Sequence, residues 1–102
     1  MKIRFPGDFI FGTSTSAYQI ETAFEHDWFQ VRARDGNIFH RTTDHEKRRD
    51  EDISIIASLA PHYRMSLMWS RLQRKAYAKF DEAVVMEYSH LLGSLLHIRL
   101  IR

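Results

Sequence analysis

Cysteine is absent from these 102 residues, which excludes a disulfide framework and any thiolate-held zinc. Asparagine occurs once, at Asn37, and is followed by Ile38 and Phe39, so there is no glycosylation sequon. Proline and glycine are scarce, two and four residues, and no segment is of low complexity or repeated. Charge of one sign is also missing. Fifteen Lys and Arg against 13 Asp and Glu leave +2, too balanced for a nucleic-acid or membrane-surface partner. No apolar run approaches the ~20 residues of a membrane span. The start, Met1 to Asp8, lacks an apolar stretch of signal-peptide length. A soluble, cytoplasmic protein is therefore expected.

What is there is globular in composition, with 44% hydrophobic and 27% charged residues. The length allows one domain, 1–102. Phe9 to Thr13 reads as a short buried strand, an apolar run closed by Gly12 and hydroxyl residues. Ser14 to Glu21 reads as a loop or one helical turn. Phe24 to Thr43 keeps no period, with a turn at Asp35-Gly36. Thr43 and Glu46 have capping-box spacing, so a helix is expected to start near Thr43. Ile53, Ile56, Leu59 and Ala60 share one face of it, and Pro61 ends it. Tyr63 to Trp69 alternates as a strand. Arg71 to Phe80 is a polar, basic connection. Asp81 suits the N-cap of a second helix with a stripe of Val84, Tyr88, Leu91 and Leu95, reinforced by Val85, Leu92 and Leu96. Strand, long loop, helix, strand, helix is the order of parallel strands with crossovers.

Four ordered blocks carry a resemblance. Phe9-Ile10-Phe11-Gly12-Thr13-Ser14-Thr15-Ser16-Ala17-Tyr18-Gln19-Ile20-Glu21-Thr22-Ala23 has an aromatic-Gly strand end, a run of small residues, an aromatic, then Gln-x-Glu and a small residue. Asp44-His45, Arg48 and Glu51-Asp52-Ile53 form the second. Tyr63-Arg64-Met65-Ser66-Leu67-Met68-Trp69-Ser70-Arg71-Leu72 is the third, and Lys79-Phe80-Asp81-Glu82-Ala83 with Tyr88 the fourth. Together they resemble the N-terminal portion of glycoside hydrolase family 1, the β-glucosidase group. The resemblance implies an α/β fold, the first two βα units of an incomplete (β/α)8 TIM barrel, with sites at the C-terminal ends of its strands.

By that resemblance Gln19 binds substrate, its amide gripping two sugar hydroxyls by donating and accepting at once. Arg64 would support the catalytic nucleophile by keeping a carboxylate ionised; without that partner it is expected to be solvated. The family's chemistry is retaining hydrolysis of β-glycosides, which needs two carboxyl groups about 5 Å apart. The family carries them in Asn-Glu-Pro and Glu-Asn-Gly motifs, and neither motif occurs in these residues. No catalytic carboxylate is therefore assigned, and a polypeptide of this length is expected to be inactive alone. Departures from the pattern include Thr22 in place of a glycine, Met68 in place of a polar residue, and His97-Ile98-Arg99-Leu100 at the expected entry to a third strand. A second reading is an inactive remnant that binds sugar weakly or self-associates through unpaired strand edges.

Other clusters carry weaker expectations. Glu21 and Asp27 are acidic loop residues and are expected to be solvated. His26, Asp27, His40, Asp44 and His45 form a conceivable metal set, but His40 and His45 do not share a helical face, so no metal and no cofactor are expected. Arg71, Arg74, Lys75 and Lys79, around Tyr77, are expected to be a solvated loop and not a phosphate site. Trp28 and Trp69 fit either sugar-stacking platforms or buried anchors.

Overall fold

The computed structural model describes residues 1–22, 28, 31–38 and 41–100. Strand β1 (Gly12–Ser14) is followed by the single-turn helix α1 (Ala17–Ile20). Helix α2 (Arg49–Leu59) leads into strand β2 (His62–Arg64). The short helix α3 (Trp69–Leu72) precedes the long helix α4 (Glu82–Leu100). No helix among the described residues is long and apolar enough to cross a membrane.

The two strands pair in parallel, with Gly12 opposite His62, Thr13 opposite Tyr63 and Ser14 opposite Arg64. The pairing continues one step further, as the Thr15 amide donates to the Arg64 carbonyl at 3.0 Å. Gly12 is needed for this approach. A Cβ there would stand 3.1 Å from the His62 carbonyl oxygen, tighter than ordinary van der Waals contact. The parallel order matches the alternation seen in the sequence. The strands themselves are shorter than expected. Phe9, Ile10 and Phe11 lie outside β1 and are exposed. The Phe5, Phe9 and Phe11 rings pack on one another instead, with centroids 4.6–5.0 Å apart. Beyond Arg64 the chain leaves the sheet, and Trp69, expected to close the strand, opens α3. With one neighbour each, these strands have a ladder on one edge only, and a two-stranded sheet sustains little length by itself.

The helix expected from Thr43 begins six residues later, at Arg49. The capping box does not form. Asp44 takes a left-handed backbone (φ 54°), and residues 45–47 turn before the helix starts. Glu46 spends its carboxylate elsewhere, accepting the Thr22 amide at 3.1 Å. Pro61 follows the helix end as expected. The turn at Asp35-Gly36 is present, with Gly36 at φ 89°, where a side chain would be strained.

The core sits between α2, α3 and α4. Ile53, Leu72, Val84, Tyr88 and Leu91 are buried together, with Met65 and Leu95 packed against them. The stripe of α4 is as its spacing predicts. Val85, Leu92 and Leu96, expected to reinforce it, are exposed, Leu92 and Leu96 on the open cavity toward α2 and β2. Asp81 caps α4: its Oδ1 accepts the amides of Ala83 at 3.1 Å and Val84 at 3.3 Å. Asp81→Ala should cost about 0.5–2 kcal/mol of helix stability. The check is the helical circular dichroism signal on heating, and an unshifted melt would remove the cap from the account.

Candidate functional site

Two folded segments meet at the C-terminal ends of the paired strands. The first runs from Thr15 through α1 to Thr22. The second is the end of β2 and the turn into α3. The Ala17 amide, unsatisfied at the start of α1, donates to Ser66 Oγ at 2.8 Å, so the second segment holds the first. The hydroxyls of Thr15 and Tyr63 also share a hydrogen bond. Burial pushes the Tyr63 phenol pKa up, so the group stays neutral.

Gln19 projects from α1 and is exposed. Arg64, the last residue of β2, is exposed as well. Neither side chain has a hydrogen bond or ion pair within the protein among the described residues. The structure therefore brings both residues to one end of the sheet with their polar groups free.

Glu21 corrects the sequence reading. It is 3% exposed, not a solvated loop acid. Its Oε2 accepts Arg71 Nη1 at 2.7 Å and the Tyr88 hydroxyl at 2.6 Å. Arg71 Nη2 donates to Glu87 Oε2 at 2.5 Å, and Arg49 of α2 lies 3.7 Å from that same oxygen. The Tyr88 hydroxyl in turn accepts the Met68 amide at 2.9 Å. Burial opposes the Arg71 charge, but hydrogen bonds to Glu21 and Glu87 outweigh it and raise the guanidinium pKa further. Burial, with the Glu21 carboxylate beside it, also pushes the Tyr88 phenol up. Arg71 thus leaves the expected basic loop and joins the interior. Arg74, Lys75, Tyr77 and Lys79 remain exposed.

A second clamp comes from the Asp44-His45 turn. The His45 amide donates to the Ile20 carbonyl at 2.9 Å. The Thr22 hydroxyl meets Thr42 Oγ1 at 2.9 Å and Asp44 Oδ1 at 3.2 Å. His45 is buried, and its Nδ1 is 2.7 Å from Asp52 Oδ2. Of the conceivable metal set, His26, Asp27 and His40 lie outside the described residues, and Asp27 leaves the acidic pair there too. Among the described residues no three ligating side chains gather to hold a metal. Trp28 and Trp69 are not buried anchors: each is 61% exposed, against Tyr18 and Phe80 respectively.

The sequence profile described as Glycosyl hydrolase family 1 matches residues 1–101. The chain belongs to glycosyl hydrolase family 1. Among its curated relatives, beta-glucosidase A of Acetivibrio thermocellus is 36% identical across 93% of this chain. Coniferin beta-glucosidase of Pinus contorta is 35% identical across 90%. In three dimensions the chain resembles a beta-glycosidase from Pyrococcus horikoshii, with a TM-score of 0.72 and 34% identity over 96% of this chain. It spans 24% and 20% of the two curated relatives and 24% of the solved structure, so it represents about a quarter of the family 1 length.

Sequence reasoning singled out Gln19 and Arg64 through the family blocks, and both are exposed near the same end of the sheet. It missed the buried Glu21 and His45 and their part-buried partners Arg71 and Asp52. Glu21 and Arg71 both stand inside matched blocks, and two opposite charges there, with no surface pattern to explain them, were the available signal.

Proposed function

We propose that these residues are the first two βα units of a (β/α)8 barrel in a family 1 β-glycosidase that hydrolyses β-glucosides with retention. The observation that carries the reading is the placement of Gln19 and Arg64, unpaired, at the C-terminal ends of two parallel strands. That is the end where barrels of this kind hold their sites.

In this reading Gln19 grips hydroxyls of the glycone, donating from Nε2 and accepting at Oε1. Arg64 stands beside the nucleophile carboxylate and favours its charged form. The two carboxyl groups that break the glycosidic bond come from outside these 102 residues. One attacks the anomeric carbon and the other protonates the leaving oxygen, then activates the water that releases the sugar.

The test is Gln19→Ala in the polypeptide that joins these residues to both carboxylates. Each sugar hydroxyl left without its buried partner should cost about 1–3 kcal/mol. That is roughly a ten- to hundredfold loss in kcat/KM on a chromogenic β-glucoside. Part of it should fall on kcat, because hydroxyl contacts tighten in the oxocarbenium-like transition state. Unchanged kcat/KM across several sugars would take Gln19 out of the pocket.

A further inference from the structure

We infer that Glu21 is the positioning residue for Gln19, and that the set Glu21–Arg71–Tyr88–Glu87, buried at Glu21 and Tyr88 and part-exposed at Arg71 and Glu87, fixes the register of the α1 loop. The role of Gln19 toward sugar rests on the function proposed above. The anchoring does not.

Helix α1 is a single turn, and one turn does not hold itself in water. Its N-cap, Ser16, makes no side-chain cap bond. The turn must be pinned from outside. Besides the Thr15 and Thr22 contacts at the two ends of the segment, three pins act between them: Ser66 on the Ala17 amide, the His45 amide on the Ile20 carbonyl, and the Glu21 carboxylate. The first two grip backbone, and a sliding backbone offers each of them an equivalent group at the next residue. Glu21 is different from these and from the Thr15 and Thr22 hydroxyls, because its pin is a buried charge. Its carboxylate is satisfied only where Arg71 of α3 and Tyr88 of α4 converge. A slip of one residue would strand that charge without partners in a desolvated site, which is strongly unfavourable.

Gln19 and Glu21 are two residues apart. The inward side chain of one therefore fixes the outward direction of the other: Glu21 is buried and Gln19 exposed. The surrounding charges hold the pin itself in place. Arg71 is shared between Glu21 and Glu87, and Arg49 approaches Glu87, so carboxylates and guanidiniums alternate across three helices and the loop. Ion sets with a buried member add little net stability, and their best-attested use is to specify one arrangement among several.

The experiment is residue-resolved hydrogen exchange on the longer polypeptide that joins these residues to both carboxylates, with relaxation of the Gln19 side-chain amide in the same samples. The Gln19 and Ile20 amides, both bonded to the Ser16 carbonyl, report the loop, and the Leu91 amide reports the core. Glu21→Ala should lower protection at Gln19 and Ile20 by about tenfold or more while Leu91 changes less than about threefold. Glu21→Gln keeps an acceptor for Tyr88 and should recover part of the loss. The Gln19 side-chain amide should loosen in the same order. If Glu21→Ala unfolds the whole chain, Glu21→Gln and Tyr88→Phe decide by the same ratio. Equal losses at loop and core would make Glu21 a plain stability residue and overturn the inference. So would unchanged exchange at Gln19, or an unprotected Gln19 in the unsubstituted chain. None of these readouts uses turnover, so failure of the glycosidase reading would show separately.

Discussion

A polypeptide of these 102 residues should release no aglycone from a chromogenic aryl β-glucoside above the uncatalysed rate. Glycosidases reach accelerations of many orders of magnitude, and the retaining mechanism draws them from two carboxyl groups facing one another across the sugar. Among the described residues, Glu21 and Glu87 are a carboxylate pair brought together, since both touch one guanidinium. They cannot do the work. Arg71 fills the space between them, where the anomeric carbon would have to stand. Glu21 is closed off from solvent and spends one oxygen on two donors. The measurement is release of nitrophenol at high protein concentration. Turnover that disappears in Glu21→Gln would mean that the chemistry sits in this cluster after all.

The same polypeptide should self-associate, or persist as a loose, dye-binding state. Its accessible surface is 8774 Å², while a compact monomer of 12.1 kDa is expected to expose about 6,000 Å². The excess is the size of an obligate interface, about 2,000 Å² or more. The radius of gyration, 16.7 Å, likewise exceeds the ~13 Å of a packed domain of this length. The uncovered surface is apolar in particular places. Phe5, Phe9 and Phe11 form one exposed cluster. A cavity of about 260 Å³ opens between α2, β2 and α4, lined by Ile56, Pro61, Tyr63, Leu92 and Leu95. Beside these, the two-stranded sheet presents unpaired edges, which are templates for another chain. Sedimentation should therefore show mass rising with concentration, and heating should give a broad transition with dye binding beforehand. A monodisperse monomer with one sharp, two-state melt would contradict the quarter-barrel reading.

Local signals in the sequence were read correctly where the structure is local. Asp81 caps the helix it precedes, and the spacing of Val84, Tyr88 and Leu91 puts all three in the core. Asp35-Gly36 turns, and the β–α–β order produced a parallel pair. The failures share one cause, which is that distant partners won over near ones. Thr43 and Glu46 have the spacing of a capping box, yet Glu46 is taken by Thr22, 24 residues earlier. Tyr63 to Trp69 alternates as a strand should, but the ladder it needs is present only through Arg64. Glu21 looked like a loop acid because its two donors stand 50 and 67 residues further along. No window of 11–18 residues contains that information. Family blocks did contain it in part, since they marked Gln19, Glu21, Arg64 and Arg71 together without saying which would be buried.

That long separation sets an order of events on the ribosome. The Gln-x-Glu loop is made ahead of its partners, and Tyr88 follows Glu21 by 67 residues. At ~5–20 residues per second, several seconds pass before the carboxylate of Glu21 can meet its last donor. Until then the nascent segment carries an ionised group with no place to be buried, which keeps it in water and out of premature collapsed states. The segment synthesised early is thus finished late, and its closure reports that α4 has arrived.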